Sequence, residues 1–119
     1  MGFNFENLNV YKKALDFVND IYLLTKTFPK DEMFGLTSQL RRAAVSIVLN
    51  ISEGSARSKK DFSRFIDISR GSIFECFTVL QISLKQGYLD QGSFINMEGK
   101  LTDLSKMLSG LKHSMNNEQ

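Results

Sequence analysis

Five polar residues, Arg42, Ser46, Asn50, Glu53 and Arg57, follow one another at steps of four, four, three and four. On a helix that spacing gathers them into one stripe. Guanidinium, hydroxyl, amide, carboxylate and guanidinium form a set able to hydrogen-bond within itself or to an external partner. Two readings fit. Ser46, Asn50 and Glu53 act as a polar network that fixes helix register, or the stripe is a contact surface where Arg42 and Arg57 meet phosphates or carboxylates. Arg41 precedes the stripe, and Lys59, Lys60 and Arg64 extend its basic character.

Glu53 and Glu75 would converge if their helices pack antiparallel, and paired carboxylates can do acid–base or metal work. Arg42, Arg57 and Arg70 are nearby ion-pair partners, and pairing accounts for the carboxylates more simply. Arg70 and Glu75 are therefore grouped with Ser46, Asn50 and Glu53 as structural polar residues. His113, the one histidine, falls near a polar tail and is expected to face solvent. Cys76 sits among Ile73, Phe74 and Phe77, the setting of a small core residue rather than a nucleophile. One His and one Cys make no metal cluster and no internal disulfide. No glycine-rich phosphate loop, nucleophile elbow or HExxH occurs. The expectation is a chain with no catalytic residue, no cofactor and no metal.

Net charge is only +2, but all five arginines lie between residues 41 and 70. From Gln39 to Arg70, five Arg and two Lys face Glu53, Asp61 and Asp67, a local balance of 7 − 3 = +4. Such clustering makes a phosphate-attracting patch, or serves ordinary surface ion pairing. No apolar run long enough to cross a bilayer and no charged-then-apolar leader is apparent, so a cytoplasmic protein with no membrane contact is expected.

The elements that must position these groups are four helices. At 119 residues the chain is one domain with enough length for a core. The first helix is expected over about 8–27, with Tyr11, Ala14, Leu15, Val18, Ile21 and Tyr22 as its apolar face and Pro29 ending it. The second covers about 36–56, with Thr37 as N-cap and Leu40, Ala43, Ala44, Ile47 and Ile51 as its buried stripe. Ser58 and Asp61 resemble a capping box opening a third helix over about 59–86. Gly71-Ser72 falls mid-helix, where glycine costs about 1 kcal/mol against alanine; close approach of a neighbouring helix is the expected reason. Asp90 or Ser93 caps a fourth helix over about 91–115, where Phe94, Met97, Leu101, Leu104, Leu108, Leu111 and Met115 alternate by three and four. Short connections predict an all-α, antiparallel up-down-up-down four-helix bundle. Val45, Val48, Leu49, Phe65, Ile68 and Phe74 exceed what one such core needs, so a homo-oligomer is expected.

The residues also carry a resemblance. Phe28-Pro29, Glu32, Gly35-Leu36-Thr37, Gln39-Leu40, Arg42-Ala43, Ser46-Ile47, Asn50-Ile51, Glu53-Gly54, Arg57, Gly71-Ser72 and Glu75 resemble the signature of the 23S rRNA-intervening-sequence protein family, over about Phe5 to Leu111. The resemblance implies a four-helix bundle assembled as a ring-shaped homopentamer. It also implies likeness in fold to the accessory variability determinant of diversity-generating retroelements, a basic pentamer that binds nucleic acid and a reverse transcriptase. It brings no established catalysis. Tyr11 stands where Trp is common, and Val48-Leu49 replaces the more usual Pro-Ser, which predicts a straighter helix and a more apolar interface. The leading expectation is a non-enzymatic oligomer binding structured RNA or other nucleic acid through Arg41, Arg42, Arg57, Lys59, Lys60 and Arg64. The alternative is a protein-interaction scaffold engaging another protein, such as a polymerase. A hydrolase is the weakest reading.

Overall fold

In the computed structural model, residues 3–117 are described; side chains are described through Met115. Four helices account for most of these residues: α1 (Asn9–Thr25), α2 (Leu36–Ser55), α3 (Lys59–Lys85) and α4 (Gln91–Asn117). Short 3-10 turns occupy Asn4–Asn7 and Lys30–Glu32. Each helix packs on the next in sequence, and α1 meets α4 to close an all-α four-helix bundle of 47 × 26 × 19 Å. No strand occurs among the described residues.

The core is built by the patterns of α2 and α4. Leu40, Ala43, Ala44, Ile47 and Ile51 are all sealed from solvent. So are Phe94, Met97, Leu101, Leu104, Leu108 and Met115 on α4, with Leu111 half-buried. From α3, Ile66, Ile73, Cys76 and Leu80 complete it. Burying a side chain of this kind stabilises by about 1.5–3 kcal/mol, which makes these periodic stripes the main determinant of the fold.

The face of α1 differs from expectation. Val10, Ala14, Phe17, Ile21 and Thr25 point inward, whereas Leu15, Tyr22 and Leu23 are exposed. Thr25 is tolerated inside because its hydroxyl donates to the Ile21 carbonyl at 2.7 Å. The helix also stops at Thr25, four residues before Pro29, as the chain tightens through i,i+3 bonds from Thr27 to Leu24 and from Phe28 to Thr25.

Thr37 is not the cap of α2. It is buried within the first turn, and the capping acceptor is Glu32, whose Oε1 takes the Leu36 N–H at 3.0 Å. The other oxygen, Oε2, accepts from the Tyr88 hydroxyl at 3.0 Å, so one carboxylate ties the start of α2 to the α3–α4 turn. That bond, burial and the negative charges of Glu32 and Asp31 hold the Tyr88 phenol above its ordinary titration range. The caps of α3 and α4 follow expectation: Ser58 Oγ accepts from Asp61 N at 3.2 Å, and Asp90 Oδ1 from Ser93 N at 2.7 Å.

The close helix crossing is at Gly54, not Gly71. A Cβ on Gly54 would lie 2.6 Å from Phe65 Cβ and 2.9 Å from Phe62 Cδ1, whereas one on Gly71 would meet nothing within 4 Å. Gly71 faces outward and the α2–α3 contact is made elsewhere.

Candidate functional site

The polar stripe of α2 divides into an inward-tied middle and two outward ends. Asn50 Nδ2 donates to the Ser46 carbonyl at 2.8 Å and to Ser46 Oγ at 3.1 Å. Ser72 on α3 donates to the same Oγ at 2.8 Å. Beneath this, the fully buried Ser69 donates to the Ile47 carbonyl at 2.9 Å. Ser72 and Ser69 thus pin α3 to α2 beside the core, with Asn50 holding Ser46 from within α2. Neutral hydrogen bonds of this sort contribute about 0.5–1.5 kcal/mol each, and their direction fixes register.

The other members of the expected network lie apart from this cluster. Glu53 accepts from Arg57 Nη2 at 3.3 Å on the exposed side of α2. Arg70 lies 3.7 Å from Asp67, which also accepts from Lys112 of α4 at 2.8 Å. Glu75 has no ion pair or hydrogen bond among the described residues; it borders a shallow depression shared with Arg42, Phe34 and Gly35. Ser69 gave no signal in the sequence, because a buried serine at a core position of a helix reads as a substitute for alanine.

The six basic residues form two groups. Arg42 lies 13 residues before the end of α2 at Ser55, about 20 Å along the axis. Arg41 is engaged internally: its Nε donates to Thr25 Oγ1 at 2.8 Å, and its guanidinium covers the Tyr22 ring at 4.5 Å. Arg42 is exposed and has no ion pair among the described residues. The second group surrounds the α2–α3 corner, where Arg57, Lys59, Lys60 and Arg64 are exposed. Arg57 also lies over the Phe65 ring at 5.4 Å, and Arg64 reaches Asp61 at 3.5 Å. A groove of about 650 Å³ runs along α2 from the first group as far as Glu53, floored by Ser46 and Asn50 and walled by Tyr22, Phe34, Leu49 and Arg42.

The reactive side chains seen in the sequence sit away from this groove. Cys76 is buried and its thiol is pushed up to about 12, first by burial and then by the neighbouring Glu75 charge. His113 is exposed near the end of α4. Among the described residues no group of three His, Cys, Asp or Glu could hold a metal ion, and no helix is long and apolar enough to cross a membrane.

Comparison with known proteins agrees with this architecture. A solved structure from Bacteroides thetaiotaomicron, described as a protein of unknown function from the S23 ribosomal protein family, is similar with a TM-score of 0.80 and 24% identity. The similarity covers 87% of this chain and 97% of that one. No functionally curated protein matches the sequence. The family model described as 23S rRNA-intervening sequence protein matches residues 6–110, nearly the whole bundle. The chain belongs to the 23S rRNA-intervening sequence protein family.

Proposed function

We propose that this protein is a non-enzymatic, homo-oligomeric helical bundle that binds the phosphate backbone of structured RNA through its α2–α3 corner. One observation carries the reading. Between Arg57 and Arg64 the corner bears four cations, Arg57, Lys59, Lys60 and Arg64, against the single carboxylate Asp61, a balance of 4 − 1 = +3. Lys59 and Lys60 occupy the first turn of α3, where the helix dipole is already positive. The dipole disfavours cations there, and a bound phosphate would offset that. The Arg57–Glu53 and Arg64–Asp61 pairs are exposed, each worth a few tenths of a kcal/mol, so either arginine exchanges its carboxylate for a phosphate at little cost. Arg42 lies towards the other end of α2, apart from this corner, and Arg41 positions α1 rather than meeting the ligand. The family description, which names an rRNA insertion, fits an RNA ligand. The homo-oligomeric part rests on the exposed Phe34, Phe74, Leu49 and Ile68, more apolar surface than a bundle of this size leaves unpaired.

Binding by phosphate neutralisation alone carries no base specificity and falls steeply with salt. Four contacts give a log–log slope of about −3 to −3.6, so tripling the salt weakens affinity by about 20- to 50-fold. Fluorescence anisotropy with a structured RNA measures this, and Lys59→Glu/Lys60→Glu should lower the slope by about 2. Salt-independent affinity, or no binding at low salt, overturns the proposal. The exposed apolar side chains favour a second reading, a scaffold for another protein; a cellular partner that stays bound after nuclease treatment supports it.

A further inference from the structure

Phe34 ends the α1–α2 connection with 97% of its surface exposed, an extreme value for a phenylalanine in a folded chain. Elsewhere on the bundle, α3 and α4 frame a groove of about 580 Å³. Its apolar wall is Ile73, Phe74, Phe77 and Leu101, and Phe74 is 65% exposed. Opposite this wall, α4 presents the short hydroxyl side chains Thr102, Ser105 and Ser109, flanked by Glu98 and Lys106. The chain therefore carries a projecting ring on one face and a receptive cleft on another. The groove is lined by none of the residues around Phe34, so a single molecule cannot join the two.

Charge matches the shapes. Arg42 stands beside Phe34, exposed and without an ion pair among the described residues. Glu98 stands on the rim of the α3–α4 groove, likewise without one. Glu75 beside Phe34 and Arg42, and Lys106 at the groove, repeat the match with signs reversed. A second copy can seat its Phe34 in this groove while offering its own groove in return. Such a contact satisfies both surfaces of every copy, whether it is made reciprocally in a two-fold pair or head to tail.

We propose that the occupant of the α3–α4 groove is Phe34 of a second copy of this chain, with Arg42 of that copy facing Glu98 at the rim. The proposal rests on the homo-oligomeric part of the functional reading and specifies its contact. Phe34 fills the cleft between Phe74 and Leu101, and the charged pairs fix which end of the groove it enters. Each subunit gives one knob and receives one.

Site-directed cross-linking tests this on the full-length chain. Chains carrying Phe34→Cys and chains carrying Phe74→Cys are co-expressed and treated with a short bifunctional maleimide; buried Cys76 stays unreactive in both. The expected product is a cross-linked pair only when both variants are present. Cross-linking of Phe34→Cys chains with themselves overturns the knob-in-groove contact. Light scattering of the parent and of Phe34→Ser, Arg42→Glu and Arg42→Glu/Glu98→Arg supplies the second readout. Phe34→Ser should dissociate the assembly with helical content unchanged, Arg42→Glu should weaken it by about tenfold or more, and the charge swap should restore it. An assembled parent that Phe34→Ser leaves intact overturns this contact and keeps the oligomer. A parent that is monomeric at micromolar concentration overturns both.

Discussion

A methyl group added at Gly54 should do more damage than one added anywhere along the exposed helix faces. Its Cβ would sit 2.6 Å from Phe65 Cβ and 2.9 Å from Phe62 Cδ1. The Phe62 ring can rotate aside, but Phe65 Cβ is fixed to its backbone. Reaching an ordinary contact requires α2 and α3 to part by about 3.4 − 2.6 = 0.8 Å. A gap of that size forfeits a quarter to a half of the dispersion energy of each contact it opens, and the opened contacts include Ile47, Ile51 and Ile66. Overpacking costs about 1–3 kcal/mol, of which replacing a helical glycine returns about 1. With a backbone-anchored clash the upper part of the range applies, leaving a net loss of about 1–2 kcal/mol, or a Tm lower by about 4–8 °C for a chain of this size. Gly71→Ala meets nothing within 4 Å and keeps only the propensity gain, so its Tm should rise by up to about 4 °C. Thermal unfolding followed by circular dichroism, with urea midpoints as a check, compares the two. A Gly54→Ala protein that melts at or above the parent temperature would refute the close-crossing argument.

Other substitutions probe other parts of the bundle. Glu32→Ala should lower the urea midpoint by an amount equal to about 1 kcal/mol through loss of the α2 cap, and should bring the Tyr88 phenol back towards 10.0 in an ultraviolet titration. Ser69→Ala should cost about 1 kcal/mol by leaving the Ile47 carbonyl unpaired in the core, and Ser72→Ala less, because its site is half-buried. Cys76 should resist alkylation in the native protein and react only on unfolding. Its folded-state value lies above its unfolded one, so the thiol's contribution is complete below pH 9 and is lost as pH rises towards about 12; Cys76→Ala should show a shallower alkaline decline in urea midpoint.

The parts of the fold legible in the sequence are those where one physical cause acts alone. On α2 and α4, apolar residues recur at helical spacing and periodicity identifies the main buried stripe, although Val48, expected among the surplus for a partner subunit, joins the core of α2. On α1 the apolar residues surround most of the helix. Leu15, Tyr22 and Leu23 compete with Phe17 and Ile21 for the inward face, and the choice falls to the register of α2 and α4. Thr25 escapes notice because it enters the core by bonding its own helix. The Glu32 cap is hidden for a related reason: its carboxylate reaches forward from a separate 3-10 turn, outside the usual three-residue capping pattern. Gly54 and Gly71 are alike as letters, and only the position of Phe65 on the facing helix separates them.

The same reasoning explains why the polar stripe identifies an element more readily than a ligand. An exposed Arg57–Glu53 pair looks alike in sequence whether it only solvates a helix or waits for a phosphate, because such pairs are weak enough to exchange. What geometry adds is separation. The middle of the stripe is bonded into α3 through Ser46 and Ser72, which leaves the basic corner at one end of α2 and the Phe34–Arg42 projection at the other. On the proposed scheme, RNA binding and assembly occupy opposite ends of one locked helix pair. Substitutions at Lys59 and Lys60 should then leave the oligomer intact. Phe34→Ser should instead weaken RNA binding without touching the corner, because a monomer presents one basic corner where an assembly presents several along a single RNA. Equal affinities for the monomeric variant and the assembled parent would mean that the corners act singly, and the link between assembly and binding would fail.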